Sequence, residues 1–409
     1  MTGRVILLHY SPPGVVGGVE HIMYEHVRLL RNRGIEVLVV AGRPGEDVCV
    51  IPDVDSADPG NVVIEGELDR GVVSPRFYRR RDAILAALRS ILRPGDLLVA
   101  HNAFTLHFNL PLTAALWELS AHASGVRFAA WCHDLSWVNP LYLPDMRPGY
   151  PWDLLRLPAP DVSYVAISEE RAAEMTSLWG ESGDVRVIPN GIDVASFLRL
   201  SEQARDLVAR YRLLDRGLVI LLPVRVTRRK NIEWAIRAVG ALRDRGVDVL
   251  FVVSGPQAPH HPGRSDAYLA ELKALCADLE LADHVVFLSD ALGRTLDLSV
   301  VHELYLLADV LLLPSSQEGF GLPLLEAGLA RLPAVVSDIP IFREVGGDAV
   351  RTVPPGAEAD RMAEAILGAV SDASPRLRRR VLDRYRWDVI ADSQLVPFVH
   401  EGDRRVHRR

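Results

Sequence analysis

Asp309-Val310-Leu311-Leu312-Leu313-Pro314-Ser315-Ser316-Gln317-Glu318-Gly319-Phe320-Gly321-Leu322-Pro323-Leu324-Leu325-Glu326-Ala327 is the stretch that decides the fold of this 409-residue chain. The apolar run Val310 to Leu313 has the length of a buried strand. A polar loop with two glycines follows, and Pro323 suits a first helical turn. Strand, glycine-rich loop and helix start, in that order, offer backbone N–H groups and the positive end of a helix dipole to an anion or to a cluster of ligand hydroxyls. Glu318 falls in the loop and Glu326 early in the helix. Two carboxylates make an odd trap for phosphate alone, but they accept hydrogen bonds from hydroxyls. A nucleotide-sugar satisfies the whole set: diphosphate at the helix start, sugar hydroxyls on one carboxylate, ribose hydroxyls on the other. Spacing alone equally admits an ordinary strand-to-helix connection with both carboxylates in solvent.

Glu318 to Glu326, with seven residues between the two glutamates on Glu-Gly-Phe-Gly-Leu-Pro-Leu-Leu-Glu, resembles the E-x7-E signature of the GT4-type retaining glycosyltransferases. Further matches extend from residue 5 to about residue 390. The resemblance implies the GT-B fold, in which two Rossmann-like α/β domains, each a doubly wound parallel sheet, face a central cleft. It also implies a nucleotide-diphosphate sugar as co-substrate and no metal cofactor. In that family the loop and helix start, here Glu318, Gly319, Phe320, Gly321, Leu322 and Glu326, hold the donor.

Composition agrees with a soluble globular chain, 49% hydrophobic and 24% charged, and the length suggests two domains. A net charge of −7 excludes an overall basic field for nucleic acid. Only Lys230 and Lys273 are lysines among 46 basic residues, so arginine is the default cation of this chain. Cys49, Cys132 and Cys276 stand far apart with no C-x-x-C pair, as expected in a reducing compartment. The apolar run Val5 to Tyr10 is too short for a signal-peptide core, and no stretch approaches the roughly 20 apolar residues of a spanning helix. A cytoplasmic location is expected, with peripheral membrane contact left open.

Arg4 to His9 and Ile35 to Ala41 read as strands flanking a helix with apolar residues at Ile22, Met23, Val27, Leu29 and Leu30. This βαβ opening predicts a parallel sheet. Its loop, Ser11 to Gly18, is not a G-x-G-x-x-G, and the second strand ends in Ala41-Gly42 where a dinucleotide site needs an acid. Gly17 and Gly18 match the family's glycine pair that approaches the donor diphosphate from the first domain; the alternative is a tight turn needing φ > 0. Asp53-Val54-Asp55 has the form of a D-x-D metal motif, but its neighbours Ser56 to Gly60 favour a surface loop. Arg76, Arg79, Arg80 and Arg81, interleaved with Phe77 and Tyr78, form a basic cluster suited to anionic lipid or to a solvated helix start.

Asp96 to Ala100 and Val126 to Trp131 are strands ending in His101-Asn102 and Cys132-His133-Asp134. Ligands gather at the carboxyl ends of such strands. His133-Asp134 resembles the family's His-Asp pair near the donor sugar and the acceptor; His101, Asn102 and Asp134 are the acceptor-side candidates. Leu135 to Leu157, rich in Trp, Tyr and Pro, suits an acceptor pocket or irregular packing. Val162 to Ser168 and Val185 to Ile188 are strands, and Pro189-Asn190-Gly191-Ile192-Asp193 marks a sharp break resembling the family's entry to the interdomain linker. The expected domains are residues 1–195 and 196–385, with a C-terminal helix at about 386–402 packing back on the first.

The alternation restarts with strands at Leu218 to Leu222, Val247 to Ser254, His284 to Leu288 and Val310 to Leu313. Arg225 and Lys230, in the loop after the first of these, match the family's diphosphate clamp. Fixed cations there stabilise a leaving nucleotide diphosphate without a metal. Val224 departs from the glycine often found before that arginine, and Arg228 and Arg229 read as solvated flankers. Gly255 ends a strand near the donor in relatives, and Leu288 ends the strand that contacts the base through its backbone. His260 and His261 lack further ligands for a metal. Trp387, Val389, Ile390 and Leu395 suggest a last amphipathic helix, and Arg404 to Arg409 a frayed tail.

The expected activity is retaining transfer of a hexosyl group from a UDP- or GDP-sugar to a hydroxyl of a small-molecule, saccharide or lipid-linked acceptor. Glu318, His133, Lys230 and Arg225 are the expected catalytic residues. A GT-B sugar-phosphate enzyme (an epimerase or phosphorylase) and a catalytically silent sugar-nucleotide-binding protein are the alternatives. Intact Arg225, Lys230, Glu318 and Glu326 argue against silence.

Overall fold

A computed structural model of the chain describes residues 3–14, 17–180, 184–256 and 262–401. His260, His261 and the Arg404 to Arg409 tail lie outside the described residues. Contacts divide the chain into two units: one running up to Ile192 and resuming at Tyr385, the other Asp193–Arg384. The boundaries expected after residues 195 and 385 fall after 192 and 384.

The first unit is built on strands β1 (Val5–His9), β2 (Val37–Ala41), β3 (Val48–Val50), β4 (Leu97–His101), β5 (Arg127–Cys132), β6 (Val162–Ala166) and β7 (Val185–Val187). They form one sheet in the order β3-β2-β1-β4-β5-β6-β7, every pair parallel. All five positions of β1 and of β4 are buried, as strands covered by helices on both faces require. The helix Gly18–Arg31 follows β1 and buries Ile22, Met23, Leu29 and Leu30.

The second unit carries β8 (Leu218–Leu222), β9 (Val249–Val253), β10 (Val285–Phe287), β11 (Val310–Leu313), β12 (Ala334–Ser337) and β13 (Arg351–Val353). Their order, β10-β9-β8-β11-β12-β13, repeats that of the first six strands of the other sheet, again all parallel. Strand order therefore reverses between β1 and β4 and between β8 and β11, and such switch points are where a doubly wound sheet opens a crevice at its carboxyl edge. The sequence reading does not anticipate β3, β12 or β13, which are only three or four residues long.

The returning segment is not one regular helix. Helix Trp387–Ile390, a π-helical turn Ala391–Leu395 and helix Val396–His400 follow one another. Trp387, Ile390, Leu395 and Val399 share a core with Trp131 and Ile188 of the first unit. The return is laced to the outgoing chain: Ile192 N–H donates to Tyr385 O at 2.7 Å, and Trp387 N–H donates to Ile192 O at 3.2 Å. Gly191 is needed for this approach, because a Cβ there would lie 2.7 Å from the Trp387 ring. Among the described residues no helix is long and apolar enough to cross a membrane.

Candidate active site

In the second unit, the loop after β8 and the loop after β11 meet at the switch point. The turn Arg228–Lys230 precedes helix Ile232–Asp244 and carries Lys230 inward, where its side chain is 7% exposed. The ammonium pairs with Glu318 Oε2. Ser315 Oγ lies 3.4 Å from the same oxygen, and Arg229 Nη1 lies 3.8 Å from Glu318 Oε1. Arg229 is thus a partner of the glutamate, not only the solvated flanker expected. Arg228 turns away, pairing with Glu271 at 2.6 Å and covering the Tyr268 ring. Arg225 is exposed and has no ion pair among the described residues. The two loops thus bring three cations and one carboxylate, and the surplus positive charge suits an anion.

Backbone contacts fix this arrangement. Ser316 N–H donates to Arg229 O at 2.9 Å, and Ser337 Oγ at the end of β12 donates to Ser315 O. Gly255 is required by close approach: a Cβ there would stand 2.1 Å from Val224 O. Val224, in place of the family's glycine, is buried and leaves this path intact. Gly321 caps helix Leu322–Leu329 at φ +88, and an added Cβ would meet the Phe342 ring at 2.9 Å. Around Gly319 there is open space, and Phe320 and Leu322 are 50% and 62% exposed.

Glu326, half-buried on that helix, accepts a hydrogen bond from the Tyr305 hydroxyl. Burial, then the Glu326 charge, pushes the Tyr305 hydroxyl's pKa up, so it stays a donor. Leu288 begins a short helix after β10 and is buried. Its side chain belongs to the core, which leaves the backbone as the only means of ligand contact there.

In the first unit Gly17 caps helix Gly18–Arg31 with φ −173, an extended conformation open to any residue, and Gly18 has no positive φ. The tight-turn reading of this pair is therefore corrected. A Cβ on Gly18 would meet nothing within 4 Å, so the glycine leaves room above the helix start.

His9 and His101 end β1 and β4, His133 directly follows β5, and His26 lies on the helix Gly18–Arg31 behind them. His101 is fully buried and its Nδ1 lies 3.1 Å from His133 Nε2. Asn102, at φ +60, accepts the His133 backbone N–H at 2.8 Å and that of Asp134 at 3.3 Å. Asp134 caps its own loop through Leu135 N–H at 2.9 Å and Asn139 Nδ2 at 2.7 Å. Of the acceptor-side candidates, His101 and Asn102 therefore sit beneath the surface and support His133. Burial depresses all four imidazoles, His26 and His133 to about 3.

Asp53 and Asp55 do not converge on one point: Asp53 pairs with Arg80, and Asp55 with Arg43 at 2.6 Å. Arg80 also meets Asp58 at 2.9 Å, and Arg81 meets Asp82 at 2.8 Å, so much of the basic cluster is neutralised. Trp137 and Trp117 donate to the carbonyls of Trp152 and Leu154 at 3.0 and 3.1 Å, packing the aromatic segment onto the unit. The residues missed from sequence, Tyr305, Ser315 and Ser337, carry no local pattern: Tyr305 and Ser315 meet Glu326 and Glu318, and Ser337 holds the Ser315 carbonyl.

Two doubly wound α/β units, one with a cationic loop and a helix start without a side-chain cap at its switch point, form the class of α/β proteins suited to an anionic ligand. Comparison with known families narrows this. The model described as Glycosyltransferase Family 4 matches residues 16–196, and that described as Glycosyl transferases group 1 matches residues 206–384. The chain belongs to the GT4-type glycosyltransferases, with the GT-B fold. The GDP-mannose-dependent alpha-(1-6)-phosphatidylinositol monomannoside mannosyltransferase of Mycobacterium tuberculosis is 26% identical over 332 residues, 76% of this chain and 80% of its own. The phosphatidyl-myo-inositol mannosyltransferase of Mycolicibacterium smegmatis is 28% identical over 396 residues, 92% and 88% of the two chains. Mannosylglucosylglycerate synthase of Thermotoga maritima is 24% identical over 83% of this chain and 82% of its own. Among solved structures, HepE of Anabaena in complex with UDP aligns over 97% of this chain and 99% of its own, at 16% identity and TM-score 0.36.

Proposed function

We propose that the protein transfers a hexosyl group, with retention of anomeric configuration and without a metal, from a nucleotide-diphosphate sugar to an acceptor hydroxyl. The observation that carries this is the Lys230–Glu318 pair at the second switch point, flanked by Arg229 and by the helix start at Gly321, with Arg225 exposed on the same loop as Lys230. Fixed cations and free N–H groups stabilise the charge that develops on the leaving diphosphate. A compact ammonium suits a point contact with a phosphate oxygen, which gives a reason for one of two lysines standing here. Glu318 orients sugar hydroxyls, Glu326 the ribose, and His133 the sugar or the acceptor. Retention through a covalent glycosyl-carboxylate needs a free nucleophile. Glu318 is ion-paired, which favours front-face transfer with the leaving phosphate accepting the acceptor's proton.

The relatives named for GDP-mannose make that sugar nucleotide the first donor to test. Thermal stabilisation by GDP, UDP, ADP and their sugars, with and without EDTA, reads occupancy of the folded state. A shift with one base, indifferent to EDTA, followed by transfer of labelled hexose, supports the reading. No shift with any of them overturns the donor site, a shift abolished by EDTA overturns metal independence, and transfer to inorganic phosphate replaces this reading with a phosphorylase.

A further inference from the structure

We propose that His101 is a positioning residue that fixes the His133 ring with its proton on Nδ1, so that His133 presents a hydrogen-bond donor, not a proton acceptor, at the carboxyl ends of β4 and β5. The geometry admits one hydrogen bond between the rings, from His101 Nδ1 to His133 Nε2 or the reverse, at 3.1 Å. The two directions differ in what they leave behind. His101 Nε2 is buried with no hydrogen-bond partner among the described residues. If His133 donated, the neutral His101 would carry its proton on that nitrogen, as an orphaned buried N–H. If His101 donates, the same nitrogen is a bare lone pair. Orphaned buried donors are rarer in folded proteins than under-satisfied acceptors, so the bond runs from His101 to His133. A neutral His133 whose Nε2 accepts must carry its hydrogen on Nδ1. That atom has no partner among the described residues and is not one of the buried unsatisfied atoms, so it remains available to a ligand.

The surroundings keep both rings neutral. His9 Nδ1 lies 3.1 Å from His101 O and its Nε2 lies 3.8 Å from Glu20, the one carboxylate paired with these rings among the described residues. Behind His101 stands the His26 ring at 5.5 Å between centroids, itself edge-on to Trp131 at 4.6 Å. A proton on His101 would therefore be surrounded by imidazoles and indole. Burial holds His133 at about 3, so it stays uncharged through the physiological range. Asn102 completes the device by fixing the His133 backbone. An Nδ1–H donor can bind a ligand oxygen but cannot take the acceptor hydroxyl's proton at that atom. The consequence for transfer rests on the function proposed above, whereas the tautomer does not.

The test is 15N NMR of the protein labelled at histidine, with His133 assigned through His133→Gln. The expected spectrum shows His133 protonated at Nδ1, bare at Nε2, and unchanged from pH 7.5 to 5. In His101→Phe the donor is lost and His133 shifts toward the Nε2–H form preferred in water. In His101→Asn, whose amide nitrogen takes the place of Nδ1, the wild-type tautomer returns. Transfer follows: kcat falls by at least about tenfold in His101→Phe and largely recovers in His101→Asn. Wild-type His133 found as the Nε2–H tautomer, or titrating near its ordinary value, overturns the proposal whatever the protein's activity. An unchanged tautomer in a folded His101→Phe, judged by its other histidine signals, overturns the role of His101. If His101→Phe does not fold, the wild-type and His101→Asn spectra decide.

Discussion

Lys230 and Glu318 are 88 residues apart in sequence and joined in the structure. Each is nearly buried, and each is the other's main counter-charge. Lys230→Ala is expected to lower kcat by at least about a hundredfold, the scale of losing one charge-stabilising group at a transition state. Steady-state transfer from the donor identified by thermal shift checks it, and wild-type turnover refutes the clamp. Glu318→Gln leaves the ammonium without its charge partner, and is expected to cost about 2 kcal/mol of stability as well as activity. A nucleoside diphosphate should restore part of that stability by supplying the missing negative charge. Equal thermal shifts in wild type and variant would separate Lys230 from the phosphate. Tyr305→Phe frees Glu326 from its hydrogen bond, about 1 kcal/mol of orientation. It should raise KM for the donor several-fold with kcat little changed, because Glu326 is assigned to the ribose and not to the reacting carbon.

The strand-loop-helix unit from β11 through Gly321 to Leu329 was legible before any coordinates, because each part has its own local signal. Four apolar residues make the strand, glycines the loop, and proline the helix start. Its limits followed for the same reason: β11 and β8 fall on their expected residues. Short edge strands such as β13, exposed at two of three positions, carry no run of apolar residues and were invisible. Lys230, Glu318 and Glu326 were named through the resemblance, but Tyr305 and Ser337 were not, since a hydroxyl that orients a distant carboxylate or loop carbonyl leaves no spacing to read. His101 reads in the sequence as a strand end and an acceptor-side candidate; its contact with His133 arises from neighbouring strands and leaves no trace there. Within this element Gly321 is the residue most exposed to test. Gly321→Ala forces a Cβ into φ +88 and against Phe342, at a cost of about 2 kcal/mol. Calorimetry should show the loss, and donor affinity should fall with it. A neutral substitution would show that the helix start tolerates another path.

For the whole molecule, the buried histidines set the acid limit. Their folded-state pKa values are lowered, so the unfolded chain takes up protons that the folded chain refuses. Their contribution to stability is complete above the unfolded value near 6.5 and is lost as pH falls toward about 3. For His26 alone the loss between pH 7 and pH 5 is about 2 kcal/mol. Urea midpoints should fall steeply over that interval, and His26→Leu should shallow the slope by the share of one proton. A flat profile between pH 7 and 5 would mean that these rings titrate normally. The scarcity of lysine has a consequence of another kind. Lys273 is exposed and Lys230 is locked in its ion pair. Acylation of the folded protein will therefore mark Lys273 among the two lysine side chains, and label on Lys230 will count molecules whose loop has opened. The chain thus carries two distinguishable lysine probes, one an internal standard at Lys273 and the other a reporter of loop opening at Lys230, where the proposed diphosphate contact would slow labelling further.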